Sequence, residues 1–293
     1  MAIVVVTDSS SRLDPEVCER WGIRQVPLHV LDGDTDLCDG VDPVPSDIQD
    51  RPKVTTSGAT PTDLAAAYRQ ALAESGDGVV AVHISAALSS TYSSAVLAAR
   101  EFGQAVRVVN SRSAAMGVGF VVLAAARSAR SGGSLDAVEA AARAAVPRGK
   151  AFIVVNRLDN LRRSGRIGAA ASWLGTALSL KPLLRLDEDG RLVLSQRIRT
   201  VSKAHAALID QVVEVVGQRQ AEVVVHHVDN PDAADELAAE LTERLPQLTS
   251  LSVADMGAVL AVHVGGGAVG VAVSVDPGRS LDAHDVDTAA GPR

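Results

Sequence analysis

Between His83 and Ser93 the chain reads His-Ile-Ser-Ala-Ala-Leu-Ser-Ser-Thr-Tyr-Ser, a run of hydroxyls between two patterned segments. Val80-Ala81-Val82 before it reads as the end of a buried strand. Ala95, Val96, Ala98, Ala99 and Phe102 after it mark an amphipathic helix. A strand that breaks into hydroxyls just ahead of a helix directs side chains and the first free N–H groups at one spot. That spot suits a carboxylate or a phosphate, because helix N-termini carry unsatisfied donors and partial positive charge. Thr55-Thr56-Ser57 is a second hydroxyl cluster, and His263 stands in a glycine-rich turn, His263-Val264-Gly265-Gly266-Gly267. If the three converge, they form one anion site.

Other chemistries are signalled less well. Asp32-Gly33-Asp34-Thr35-Asp36-Leu37 begins like a calcium loop. Leu37 stands where that loop needs its sixth-position glycine and Pro43 where it needs its twelfth-position glutamate, so a solvated acidic loop is the expectation. Gly265-x-Gly267-x-x-Gly270 matches the dinucleotide fingerprint in letters, but a strand pattern follows it where a helix must receive the pyrophosphate. The seven histidines form no metal-spaced pair, and His226-His227 on a strand point to opposite faces, so at most one of them serves a site. A hydrolase triad using Ser89 and His263 lacks the flanking glycines of a nucleophile elbow. No P-loop is present. Two basic segments, residues 157–166 and 197–200, read either as solvated faces or as contacts to an anion.

Composition narrows the classes. The 293 residues are 47 % apolar and 22 % charged, enough for one large or two medium domains with real cores. Aromatics at 2 % and a net charge of −7 disfavour nucleic acid, which needs stacking rings and a basic field. No apolar run reaches the length of a membrane span. The N-terminus reads as a first strand, not a signal peptide. Cys18 and Cys38 have no metal-ligand spacing and suit a reduced, cytoplasmic setting.

The elements that must position these residues alternate along the chain. Strands are expected at 3–7, 24–31, 79–84 and 105–110. Helices are expected from Asp14-Pro15 to Trp21, then at 62–75, 91–102, 114–131 and 135–146. Residues 32–52 read as a long loop with a short helix. Strands separated by helices of this length imply a parallel sheet covered on both faces, and the pattern changes near Pro147-Arg148-Gly149. Beyond it come a strand at 152–155, helices at 157–163 and 169–178, and strands at 182–186 and 191–199 around the hairpin signal Asp187-Glu188-Asp189-Gly190. A helix at 203–216, strand 222–228, helix 233–245 and strands 250–254 and 268–275 complete a mixed layer. Residues 277–293 are polar and patternless and are expected to be disordered.

Taken together, these pieces resemble the DegV family of fatty-acid-binding proteins. The resemblance rests on Thr7-Asp8-Ser9-Ser10, Thr56-Ser57, the stretch from Ile84 to Tyr92, Ser111-Arg112-Ser113 and Met116-Gly117-Val118-Gly119. It continues through Leu161 to Ile167, Lys181-Pro182-Leu183-Leu184, Arg199-Thr200 and His263 to Gly270, in the family's order over roughly residues 3 to 275. Three departures bear on the local shape of the site. Gly58-Ala59-Thr60-Pro61 intervenes after Thr-Ser, Ser90 replaces a glycine, and Asn110 stands where Asp is common.

The resemblance implies a two-domain α/β fold. Residues 1–149 would form a three-layer α/β/α unit on a parallel sheet, and residues 150–276 a two-layer unit on a mixed sheet. A long-chain fatty acid would lie between them. Its carboxylate would be held by Thr56, Ser89 and His263, with Ser57, Ser90, Ser9, Ser10 and Ser111 supporting the head-group region. The protein would then be a carrier, not a catalyst, needing no cofactor. It would present its ligand to a separate fatty-acid kinase and carry the acyl phosphate for phospholipid synthesis, and transient contact with a membrane surface is compatible with that role. Arg166 and Arg199 match two surface arginines implicated in the exchange. A Ser/His hydrolase, and a lipid-responsive interaction protein without a kinase partner, stand as the alternatives.

Overall fold

The structure is a computed structural model that describes residues 2–167 and 180–275. The helix expected at 169–178 and the tail at 277–293 lie outside the described residues.

The β-branched run at the start forms β1 (Ala2–Asp8), and Asp14 caps α1 (Pro15–Trp21) by accepting from the Glu16 N–H, with Pro15 in the first turn. The apolar stretch expected as one strand at 24–31 is two: β2 (Ile23–Val26) and β3 (His29–Asp32). Pro27 has no N–H for a ladder, and the Leu28 N–H after it donates to Ser9 Oγ at 3.0 Å. The acidic segment beyond carries β4 (Thr35–Cys38) as well as a short 3-10 turn at Ile48–Asp50. The hydroxyl cluster is itself a strand, β5 (Thr55–Ser57). Then come α2 (Pro61–Ser75), β6 (Gly76–His83), α3 (Thr91–Ala99), β7 (Val106–Asn110), α4 (Met116–Arg130) and α5 (Leu135–Ala145).

The later part begins with β8 (Gly149–Val154), α6 (Asp159–Arg163), β9 (Leu183–Leu186) and β10 (Leu192–Gln196). It continues with α7 (Val201–Val216), β11 (Ala221–His227), α8 (Pro231–Arg244) and β12 (Leu248–Asp255). After α9 (Ala258–Val264), the chain's last described strand is β13 (Val269–Val275). No helix was expected where α9 lies.

These strands form a parallel sheet, β2-β1-β6-β7, and a six-stranded mixed sheet, β10-β9-β8-β13-β11-β12, in which only β11 and β12 run parallel. A small antiparallel sheet, β4-β3-β5, was not expected and places Thr56 opposite Val30. Alternation along β1 and β6 splits the core of the parallel sheet. Val6, Val79 and Ala81 pack with Leu64, Tyr68 and Ala95 of α2 and α3; Val5, Val80 and Val82 pack with Val118, Val121 and Val138 of α4 and α5. This is the expected three-layer unit. In the mixed sheet Val223, Val225, Val271 and Val273 meet Leu208, Val212, Leu237 and Leu241 of α7 and α8, the expected two-layer unit. Its opposite face turns toward the parallel-sheet unit, where Val224 and Ala272 pack on Phe120 of α4.

Candidate functional site

Between the two units lies a cavity of about 270 Å³. Ala151, Ile153, Gly270 and Ala272 form its wall on the mixed sheet, and Leu28, Ile84, Leu88, Val259 and Leu260 close it elsewhere. The wall is mostly aliphatic. Its polar members are few: Thr56, Ser57, Ser89, Ser90, Arg166, His226 and His263.

Each polar group arrives on a different element. Thr56 is the middle residue of β5 and accepts or donates a 2.8 Å hydrogen bond to His263 Nε2. His263 sits near the C-terminal end of α9, one residue before its last, and not in the glycine turn itself. Ser89 lies in the loop between β6 and α3; its Oγ accepts from the Thr91 N–H at 3.2 Å and shares a 2.9 Å bond with Thr91 Oγ1. That loop touches the chain just after Thr56. A Cβ placed on Gly58 would lie 2.6 Å from Thr91 Oγ1 and 3.3 Å from Ser89 Oγ, so only a glycine lets the two segments run this close.

Burial, with a smaller push from the nearby Arg166 guanidinium, lowers the pKa of His263 to about 4, so its ring is neutral at pH 7. Its Nδ1 is buried without a hydrogen-bond partner. Arg166 is half-buried and lines the cavity, donating from Nε to the Leu88 carbonyl at 3.2 Å and from Nη1 to the Ser164 carbonyl. Arg199 is exposed, just before α7, and is not part of the cavity wall.

The supporting hydroxyls divide. Ser57 and Ser90 line the cavity. Ser9, Ser10 and Ser111 do not; they are buried and occupied elsewhere. Ser9 Oγ donates to Asp39 Oδ2 at 2.7 Å, Ser10 bonds Asp8 through both its N–H and its hydroxyl, and Ser111 Oγ pairs with the backbone of Ser113. These hydroxyls hold the strand ends in place. Two cavity residues escaped the sequence reading: Arg166 as a wall residue, hidden inside a basic run, and His226, whose outward face only sheet packing decides.

The hydrolase reading loses its geometry here, since Ser89 bonds Thr91 and the imidazole of His263 bonds Thr56. Among the described residues no cluster of three metal-ligating side chains occurs, and no helix is long and apolar enough to cross a membrane.

A family profile described as DegV, an uncharacterised protein family, matches residues 2–276. The chain belongs to the DegV family. A DegV domain-containing protein of Mycobacterium tuberculosis is 61 % identical over 276 residues, covering 94 % of this chain and 98 % of its own. Among solved structures, a DegV family protein from Thermus thermophilus described for its fatty acid binding superposes with a TM-score of 0.88 at 35 % identity, covering 94 % of this chain and 100 % of its own. DegV of Bacillus subtilis, described as a fatty acid binding protein, gives 0.84 at 27 % identity, with 94 % and 99 % covered. The DegV architecture of two α/β units is therefore this chain's architecture.

Proposed function

We propose that this protein binds a long-chain fatty acid in the cavity between its two sheets, residues 1–149 and 150–276 acting as two jaws. The observation that carries the reading is the lining of the cavity: Thr56, Ser89, His263 and Arg166 are among the few polar groups around a mostly apolar space. The tail supplies affinity. At about 0.8 kcal/mol per methylene, about fifteen methylenes contribute roughly 12 kcal/mol gross, before association and ordering costs. The head group supplies orientation, because a desolvated carboxylate is costly unless its lone pairs meet donors. Thr56 and Ser89 hydroxyls meet them, with Thr56 oriented by His263 and the Arg166 charge close by.

The finer role is that of a carrier. The protein presents the carboxylate to a separate fatty-acid kinase and then carries the acyl phosphate toward phospholipid synthesis. Arg166 supports this because a guanidinium on the wall suits the added charge of a phosphate, while the exposed Arg199 suits contact with the kinase. Free Cys18 and Cys38 are consistent with work in the cytoplasm, with transient visits to a membrane surface. Native mass spectrometry of freshly purified protein, with identification of the released molecule, tests the binding. A mass equal to the bare chain, with no displacement of a fluorescent fatty acid, would sink it.

A further inference from the structure

Helix α9 carries His263 but is only seven residues long, about half the length at which a helix holds itself in water. Its seat is therefore set by other segments. Val259 and Val262 fix one face in the core beside Ile48. The last carbonyls of the helix have no partner along its own axis and need donors from outside. The Ala261 carbonyl accepts from the Gly265 N–H at 2.8 Å. The Val262 carbonyl, one residue before His263, accepts from Asn160 Nδ2 at 3.1 Å.

The same nitrogen donates to the Gln49 carbonyl at 2.9 Å. Both partners are carbonyls, so the amide nitrogen and not the amide oxygen must face them. Gln49 lies in the 3-10 turn at Ile48–Asp50, on the stretch of chain that leads into β5 and Thr56. It is buried, and its side chain donates to the Ser46 carbonyl and to Asp229 Oδ2. A Cβ on Gly265, at φ +82°, would lie 3.4 Å from Asn160 Nδ2, so the turn after α9 packs directly on the amide.

Asn160 stands in the first turn of α6, which runs on toward Arg166. The Arg166 N–H donates to the Leu161 carbonyl at 3.1 Å, and its Nε reaches the Leu88 carbonyl beside Ser89. One half-buried amide thus joins three segments: the chain leading to Thr56, the helix of His263, and its own with Arg166. Asn160 is not itself among the residues of the cavity wall.

We infer that Asn160 is a positioning residue for the head-group site. It keeps the Thr56–His263 pair in register with Arg166, so recognition of the carboxylate depends on it and burial of the acyl chain does not. The inference rests on the fatty-acid reading above. A donor moved out of line with a charged acceptor forfeits about tenfold in affinity or more. The aliphatic wall at Ala151, Leu186 and Ala272 belongs to β8, β9 and β13 and keeps its shape.

The test uses the full chain stripped of lipid, with tetradecanoate and tetradecanol as competitors of a fluorescent fatty acid. The ratio of the two affinities reads the head group, and the alcohol alone reads the tail. In Asn160→Ala the ratio should fall about tenfold or more, with the alcohol's affinity nearly unchanged. An unchanged ratio overturns the inference, and so does an equal loss for acid and alcohol, which marks a general loosening of the fold. If Asn160→Ala fails to fold, amide hydrogen exchange of the unmodified protein decides. Tetradecanoate should slow exchange in residues 159–163 and 258–264 together, where tetradecanol does not. Protection by the acid confined to residues 55–57 and 89–91 overturns the inference while leaving fatty-acid binding intact. If neither competitor binds the unmodified protein, the fatty-acid reading falls and this one with it.

Discussion

Thr56 Oγ1 and His263 Nε2 lie 2.8 Å apart although 207 positions separate them in the chain. The bond joins a three-residue strand of the small antiparallel sheet to the end of a helix that follows the mixed sheet's β12. With the imidazole proton on Nε2, the Thr56 hydroxyl accepts and keeps its own proton to give, and in the proposed function the ligand carboxylate would receive it.

Removing the two hydroxyls in Thr56→Ala with Ser89→Ala should weaken fatty-acid retention by about tenfold to a hundredfold for each bond lost to a charged acceptor. Displacement titrations of the stripped protein measure it. Unchanged affinity in the double variant would reject the head-group assignment.

The two buried histidines of the cavity give a pH dependence with a defined sign. His263 and His226 both have folded-state pKa values of about 4, below the unfolded 6.5. Their neutral rings favour the fold fully above 6.5, and that contribution is lost as pH falls through about 4. Each shift corresponds to roughly 3 kcal/mol. Denaturant midpoints should fall between neutrality and about pH 4, and His263→Gln should flatten part of the fall. A variant whose profile parallels the parent's would contradict the burial argument.

The turn of the β9–β10 hairpin docks on the loop that carries Ser89. Ser85 Oγ donates to the Gly190 carbonyl at 2.8 Å, and a Cβ on Gly190, at φ +77°, would lie 2.8 Å from the Arg112 backbone. Gly190→Ala should cost about 2–4 kcal/mol of stability through strain and steric conflict. A melting temperature equal to that of the parent would show that the hairpin yields freely.

Asp8, His83 and Tyr68 form a chain of fully buried polar groups. Asp8 Oδ2 accepts from His83 Nδ1 at 2.9 Å and from the Ile84 N–H at 3.1 Å, and Tyr68 Oη lies 3.2 Å from His83 Nε2. Asp8→Ala leaves these donors buried and unpaired, so a loss of about 3–5 kcal/mol is expected in urea unfolding. A loss below about 1 kcal/mol would mean water replaces the carboxylate.

Arg166 and Arg199 should separate two steps. Arg166→Ala removes a cation from the cavity wall and should reduce both ligand affinity and kinase-dependent phosphorylation. Arg199→Ala should leave ligand affinity within about twofold, as expected for an exposed side chain, and slow only the exchange. Equal kinase-dependent phosphorylation in both variants and the parent would remove the docking role.

The β-branched runs and the hydroxyl clusters were legible because their pattern is local. Residues 79–84 read as a strand buried on both faces, and the strand found there, Gly76–His83, ends one residue earlier; Ser89 stands where strand and helix patterns leave a gap. The rest depends on packing between distant segments. Helix α9 is apolar nearly throughout, with Val259, Ala261 and Val262 all buried, so no amphipathic period marks it, and His263 reads as part of the glycine turn. Pro27 was a visible break in residues 24–31, but a change of sheet at that break is a tertiary event. Arg166 reads as one charge in a solvated run until Ile167 and Leu161 bury on either side of it. Serines at positions 9, 10 and 111 look like those of a site because strand-end hydroxyls of both kinds share one local pattern.

Helix α9 belongs by sequence to the later part of the chain, between β12 and β13, yet Val259 and Val262 lie in the core that holds Val30, Leu64 and Tyr68. Severing the polypeptide near residue 149 would therefore strip the first fragment of two interior side chains and of the imidazole that orients Thr56. Neither piece made alone would inherit a working receptor; only co-produced fragments that find each other would restore one.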